Sequence, residues 1–194
     1  MVGLTVSRSL HTAVIGAGFV GPYHVDAVRR GGYADVTVLA GNDAAPLEVK
    51  ASQLAIQYWT TDIGSVVCDP SLDVIHICTP NATHEDLGVA ALETGHNVVL
   101  EKPLAVTREG AERLLRAALA ADRHAAVAFT YRGYPMVRKA RVLIREGEIG
   151  ELRPVHGAYL QDWLLAATDW DWRVEPAEGG LSRAVESRTV VVGD

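Results

Sequence analysis

The chain has 194 residues, 48% apolar and 22% charged, with 18 basic against 24 acidic residues for a net charge of −6. That apolar content excludes disorder as the main state, because enough surface can be buried to offset the entropy of ordering. No dense basic run exists to bind nucleic acid, no stretch approaches the ~18–20 apolar residues of a membrane helix, and two cysteines, Cys68 and Cys78, make neither a disulfide scaffold nor a four-ligand zinc site.

At roughly 150 residues per domain, the length suits one full domain and a remainder. The apolar run Ala13–Val20 is too short and too glycine-broken for a secretion signal. With two free thiols, this places the protein in the cytoplasm.

Thr12–Ile15 reads as a buried strand, followed by a glycine turn and a helix to about Arg30, stopped by Gly31 and Gly32. Val36–Ala40 is a second strand. Asp43 and Pro46 open a helix to about Gln57, with proline in the first turn, where its missing N–H costs nothing. Tyr58–Thr61 is a short strand, and a short helix follows to Cys68. After the turn Asp69-Pro70-Ser71, Val74–Cys78 is a buried strand, then His84–Thr94 a helix ended by Gly95. Asn97–Leu100 is a strand. Thr107 caps a helix to about Arg123 with the apolar stripe Leu114, Leu115, Ala118 and Leu119. Ala125–Thr130 is a further strand.

Strands alternating with helices of this length imply βαβ units, a parallel sheet and right-handed crossovers: a doubly wound α/β Rossmann domain over residues 1–130. The pattern then changes. Met136–Arg145 reads as a helix, Gly147 and Gly150 bracket its exit, Val155–Gln161 reads as a strand, and three of the four tryptophans lie between 163 and 172. Residues 131–194 are expected to be an incomplete α+β substrate domain.

Three motifs carry chemistry. The first, Gly16-Ala17-Gly18-Phe19-Val20-Gly21, follows a strand and opens a helix, the context that gives G-x-G-x-x-G its meaning. Gly16 permits the tight turn, Gly18 lets the backbone approach a pyrophosphate, and Gly21 lets the helix pack on the strand. The helix N-terminus offers N–H groups and partial positive charge to phosphates. The bland alternative is a glycine turn without a ligand. At the end of the second strand, where an NAD enzyme places an acidic residue for the ribose, stand Gly41 and Asn42. Asp43 comes late and serves equally well as a helix cap, and no arginine waits for a 2′-phosphate. NAD and NADP both remain open.

The second motif is Cys78-Thr79-Pro80-Asn81 with His84 three residues on, at a strand's C-terminal end where open α/β sheets bind ligands. Polar residues here also serve as helix caps. The third is Glu101-Lys102-Pro103 after the strand Asn97–Leu100. Its lysine points into the same crevice, where an ammonium can bond a substrate hydroxyl and stabilise a developing alkoxide. A lone lysine is ordinarily a solvated charge, and the order of all three motifs reverses that reading. His24 is assigned to packing, His76 to a satisfied core histidine, and Cys68 and Cys78 to small buried hydrophobes. The tryptophan cluster reads as core as readily as a sugar pocket. No metal site is expected.

With these motifs the chain resembles the Gfo/Idh/MocA oxidoreductases, the glucose–fructose oxidoreductase and inositol dehydrogenase family, over about residues 10–180. The glycine loop, Thr79-Pro80-Asn81-x-x-His84 and Glu101-Lys102-Pro103 are its specific marks, with Tyr131-Arg132, Pro135 and Gly147–Gly150 as weaker ones. The resemblance implies hydride transfer between NAD(P) and a sugar, polyol or related small carbohydrate. Lys102 inherits the contact with nicotinamide and substrate, while Thr79, Pro80, Asn81, His84 and Glu101 inherit cofactor contacts. Trp172-Arg173 matches a segment that reaches the nicotinamide carboxamide in some members. A largely antiparallel second domain and a homo-oligomer through the C-terminal region are also implied.

The resemblance holds through Gly179-Gly180-Leu181-Ser182-Arg183-Ala184-Val185 and breaks after it. Members carry D-x-G-x-H shortly beyond the glycine pair. Here Glu186–Asp194 follows instead, and no histidine occurs after His156. That reads as a premature end or a change of frame, so the expectation is an impaired enzyme. The alternative is a nucleotide-binding remnant or regulator without catalysis.

Overall fold

A computed structural model describes residues 9–158, 162, 164–166, 168–172 and 175. It divides into two compact units, with the break between Val127 and Ala128.

The first unit is one six-stranded parallel sheet with helices on both faces. Its strands are β1 (Leu10–Ile15), β2 (Ala34–Ala40), β3 (Tyr58–Thr60), β4 (Val74–Ile77), β5 (Asn97–Leu100) and β6 (Ala125–Val127). The spatial order β3-β2-β1-β4-β5-β6 reverses direction between β1 and β4. The winding therefore leaves a crevice beyond the C-terminal ends of these two strands. Register places Val14 beside both Leu39 and His76, and Ile15 beside both Ala40 and Ile77.

Side-chain alternation splits the core in two. Ala13, Ile15, Ile75, Ile77, Val98 and Leu100 pack beneath α4 (His84–Glu93) and α5 (Arg108–Ala121), against Val89, Leu92 and Leu114. Val14, Val36 and Leu39 face the other way, toward Val25 of α1 (Gly21–Gly31) and Leu47 of α2 (Ala44–Gln53). Both faces are covered, which is why the strands read as continuous apolar runs.

The helix signals act as expected in three places. Gly32 ends α1 at φ +71°, and Gly95 follows α4 at φ +95°, in the left-handed region that glycine adopts without strain. The Thr107 hydroxyl accepts from Gly110 N–H at 3.0 Å. The short α3 (Ile63–Val67) is capped by Asp62, which accepts from Ser65 N–H at 3.0 Å.

Other boundaries differ from the sequence reading. The second helix stops at Gln53, short of Gln57, because Ala55 turns to φ +51° and sends Ile56 back into the core. A 3₁₀ turn, Asn81–Thr83, precedes α4. Within the α5 stripe, Leu114 and Ala118 are buried, whereas Leu115 and Leu119 are 59% and 73% exposed. A helix resting on a sheet buries a narrower arc than its apolar stripe covers.

β6 ends at Val127, short of the Thr130 read from the sequence; Ala128 and Phe129 are irregular, and Thr130 opens the short helix α6 (Thr130–Gly133). The second unit also contains α7 (Pro135–Arg145), entered through proline and left through Gly147 at φ +76° and Gly150 at φ +73°. Met136, Val137, Val142 and Ile144 are exposed on it. Residues 155–158 form no strand, and 159–161 lie outside the described residues. A strand without a neighbour leaves its backbone donors and acceptors unpaired, so apolar alternation alone does not produce one.

Leu92 is fully buried between the helices and the sheet. Leu92→Ala is expected to cost about 2–5 kcal/mol by urea denaturation, and Leu119→Ala less than about 0.5 kcal/mol. Equal losses at the two positions would contradict this packing.

Candidate functional site

The crevice is built from three strand exits. Gly16 leaves β1 at φ +103°, and its N–H donates to the Ala40 carbonyl at 2.8 Å. A Cβ at this position would stand 2.5 Å from the carbonyl oxygen of Cys78, so the exits of β1 and β4 touch only because residue 16 has no side chain. A Cβ on Gly21 would strike the Gly16 carbonyl, which confirms its place in helix–strand packing. Gly18 differs: a Cβ there meets nothing within 4 Å. Phe19 is exposed, Val20 is half-buried at the N-cap of α1, and no side chain caps that helix.

Asn42 and Asp43 are exposed beyond β2. Asp43 occupies the N-cap position of α2, yet its side chain makes no capping bond.

Beyond β4, Thr79 is half-buried, Pro80 exposed and Asn81 buried. The Thr83 hydroxyl lies 2.6 Å from that of Thr79 and 2.8 Å from the Pro80 carbonyl. His84 is completely buried, with Nδ1 2.7 Å from the Pro103 carbonyl and Nε2 2.9 Å from the Thr79 carbonyl. Its ring ties the loop after β4 to the loop after β5. The direct cofactor contact implied by the resemblance would require the ring to leave these carbonyls.

The loop after β5 carries Glu101 and Lys102, and the Lys102–Pro103 peptide is cis. Glu101 N–H continues the ladder to the Ile77 carbonyl at 2.9 Å, and Glu101 Oε2 accepts from Lys102 N–H at 3.1 Å. The Lys102 side chain is exposed at the strand end. Trp172 is half-buried in the second unit; Arg173 and residues 176–194 lie outside the described residues.

His24, assigned to packing from the sequence, and His76, read as a satisfied core histidine, together form a polar chain. His24 Nδ1 lies 2.8 Å from His76 Nδ1, and His24 Nε2 lies 3.1 Å from Glu101 Oε1. Their rings meet edge to face, with centroids 5.1 Å apart. Two spacings in the sequence carry the signal. His76 and Glu101 lie on the sheet face opposite Ile77 and Leu100, and His24 stands one helical turn after Gly21.

Burial, and then the neighbouring His24, push His76 down to about 4. Burial, and then the Glu101 charge, push the Cys78 thiol up to about 12, so it is neutral and inert. For Glu101, burial alone acts upward, but the His24 hydrogen bond, the Lys102 N–H and the charges of both residues outweigh it and hold the carboxyl below its ordinary range. Among the described residues, no cluster of histidine, cysteine, aspartate or glutamate fits a metal ion, and no helix is long and apolar enough to cross a membrane.

A doubly wound sheet with a glycine turn at its switch point and a polar strand-end crevice defines the dinucleotide-binding class of α/β domains. Residues 10–129 match the family described as GFO_IDH_MocA, oxidoreductases with an NAD-binding Rossmann fold, and residues 137–182 match the GFO/IDH/MocA C-terminal domain. The chain belongs to this family. It is 30% identical to levoglucosan dehydrogenase of Pseudarthrobacter phenanthrenivorans across 95% of this chain and 50% of that protein. It is 31% identical to inositol 2-dehydrogenase of Corynebacterium glutamicum across 79% of this chain and 46% of that protein. A solved structure of levoglucosan dehydrogenase with NADH and L-sorbose superposes with a TM-score of 0.84 at 31% identity, covering 89% of this chain and 48% of that one. The chain thus spans about half the length of the curated relatives it matches.

His76 gives the site a pH signature. Unfolded, the residue titrates near 6.5; folded, near 4. Between these values the unfolded state binds the extra proton, so stability is complete above 6.5 and is lost as pH falls toward 4. Going from pH 7.5 to 4.5, the wild type should lose roughly 2 kcal/mol more than His76→Val in urea titrations. Parallel losses would mean that His76 keeps its ordinary basicity.

Proposed function

We propose that the first unit binds a nicotinamide dinucleotide across the switch-point crevice, and that the protein is an NAD(P)-dependent oxidoreductase acting on a sugar, polyol or related carbohydrate. The observation that carries this is the open backbone at Gly18, beside a helix start that no side chain caps. The space a Cβ would fill is where a pyrophosphate fits, against the positive end of α1. Gly16, Gly18, Phe19, Val20 and Gly21 form the phosphate loop of this reading, Asn42 stands at the ribose, and Thr79, Pro80, Asn81 and Glu101 line the nicotinamide half. His84 supports that half from beneath by joining its two loops.

The bound dinucleotide supplies the hydride acceptor or donor. Lys102 is the group this chain offers to the substrate: its ammonium stands at the C-terminal end of β5, where it can hold a hydroxyl oxygen and stabilise charge that develops there. The dehydrogenase relatives that act on levoglucosan and inositol support a polyhydroxylated substrate. The region from 131 to 194 then begins the substrate domain. The exposed apolar residues of α7 support assembly through that region, and the two free thiols suit the cytoplasm.

Calorimetry with NADH and NADPH tests the cofactor reading. Binding of at least one is expected, with Gly18→Val abolishing it while the urea midpoint stays within about 0.5 kcal/mol of wild type. Folded wild type that binds neither overturns the reading and favours a nucleotide-free remnant. Where turnover of a sugar or polyol is measured, Lys102→Ala should lower kcat by roughly 10²–10⁴-fold and leave cofactor affinity within a few-fold. Near-normal turnover would return Lys102 to a solvated surface charge.

A further inference from the structure

His24, His76 and Glu101 come from three elements and meet on the α1 side of the sheet. Their hydrogens can be counted. Glu101 is an ionised carboxylate and only accepts, so the 3.1 Å contact requires His24 Nε2 to carry the proton. In a neutral His24, Nδ1 is then a bare lone pair. The 2.8 Å contact between the two Nδ1 atoms is a hydrogen bond only if His76 Nδ1 carries a proton and donates it. One contact therefore dictates the tautomer of both rings. If His24 gains a second proton, both its nitrogens donate, and His76 must switch to the Nε2–H form to accept.

We propose that His24 is a positioning residue for the Glu101–Lys102 segment, and that His76 supports it by donating to its second ring nitrogen. Glu101 fixes His24 as the Nε2–H form, His76 in the Nδ1–H form donates to its other nitrogen, and His24 holds Oε1 of Glu101. The carboxylate is then oriented so that Oε2 accepts the Lys102 backbone N–H. The lysine backbone is pinned from below, while its ammonium stays exposed to the crevice. The chain thereby links a buried sheet face to the placement of the one cation assigned to the substrate, and this rests on the reading of Lys102 given above.

The surroundings suit a tautomer lock. The other titratable groups facing the chain are the Cys78 thiol of β4, which stays neutral, and the Lys102 ammonium beyond β5. β1 contributes Val14, an apolar partner beside His76 in the sheet. His76 resists protonation because burial and His24 both oppose a charge on it. In this arrangement His24 donates to Glu101 and His76 donates to His24. In general, a ring nitrogen's role is set by the bond its other nitrogen makes.

Long-range ¹H–¹⁵N correlation spectra of the ¹⁵N-histidine-labelled chain at pH 7.5 read each tautomer directly. The expected result is His76 protonated on Nδ1 and His24 on Nε2. In His76→Val, His24 should keep its proton on Nε2, because Glu101 still accepts from it. Amide exchange reads the consequence at Lys102: exchange of its N–H should quicken about tenfold in His24→Leu, and His24→Gln, whose amide can still donate to Glu101, should restore the wild-type rate. His76 protonated on Nε2 in the wild type overturns the proposal, as does Lys102 exchange unchanged in His24→Leu. The tautomer measurement needs no variant, so a misfolded substitution does not blunt the test. NADH calorimetry on the wild-type chain runs alongside. Absence of binding with the expected tautomers sinks the cofactor reading and leaves the lock standing; binding with the wrong tautomers does the reverse.

Discussion

The contact between the exits of β1 and β4 governs most of what this molecule can do. Gly16 lies against the Cys78 carbonyl at a separation that excludes any side chain, and Gly21 lies equally close to Gly16. These approaches bring the start of α1 next to the Thr79–Asn81 turn. They also set the reversal of strand order directly beneath that turn. A methyl group at residue 16 would separate the two exits, and the glycine loop and the polar turn would no longer share a crevice. Backbone shape here precedes any side-chain chemistry.

Around that contact, three buried or half-buried histidines hold the loops in place. His84 bridges the carbonyls of Thr79 and Pro103. His24 and His76 reach Glu101 from the other side of the sheet. Each uses ring nitrogens to satisfy polar groups that burial would otherwise leave costly. The crevice is thus supported from beneath by polar contacts, and its open surface presents Lys102 and the bare backbone of Gly18. The exposed groups and their buried supports come from different residues.

The two units stand on different physical footings. The first closes its own core on both faces of a six-stranded sheet. In the second, α7 carries four exposed apolar side chains and the described part of 155–158 has no strand partner. Apolar surface of that kind gains its free energy only when something covers it. Most of α7 lies within residues 137–182, which match the GFO/IDH/MocA C-terminal domain.

Local chemistry was legible in the sequence wherever a residue acts through its own backbone or its immediate neighbours. The glycine turn, the caps at Gly32, Gly95 and Thr107, the apolar strands and the order of the three motifs all belong to that kind. Boundaries were less legible where tertiary contacts compete with propensity. Ile56 leaves the helical path because the core receives it, and Val155–His156 is irregular, with no strand beside it among the described residues. The fates of His24, His76 and His84 were decided only by the tertiary structure. Packing and hydrogen bonding look alike in a list of residues, since both place a histidine among apolar neighbours. Which partner a ring nitrogen meets depends on the register that sets β4 beside β5, and on the packing of α1 and α4 against the sheet. Those relations join residues 52 and 77 positions apart, which no local pattern encodes.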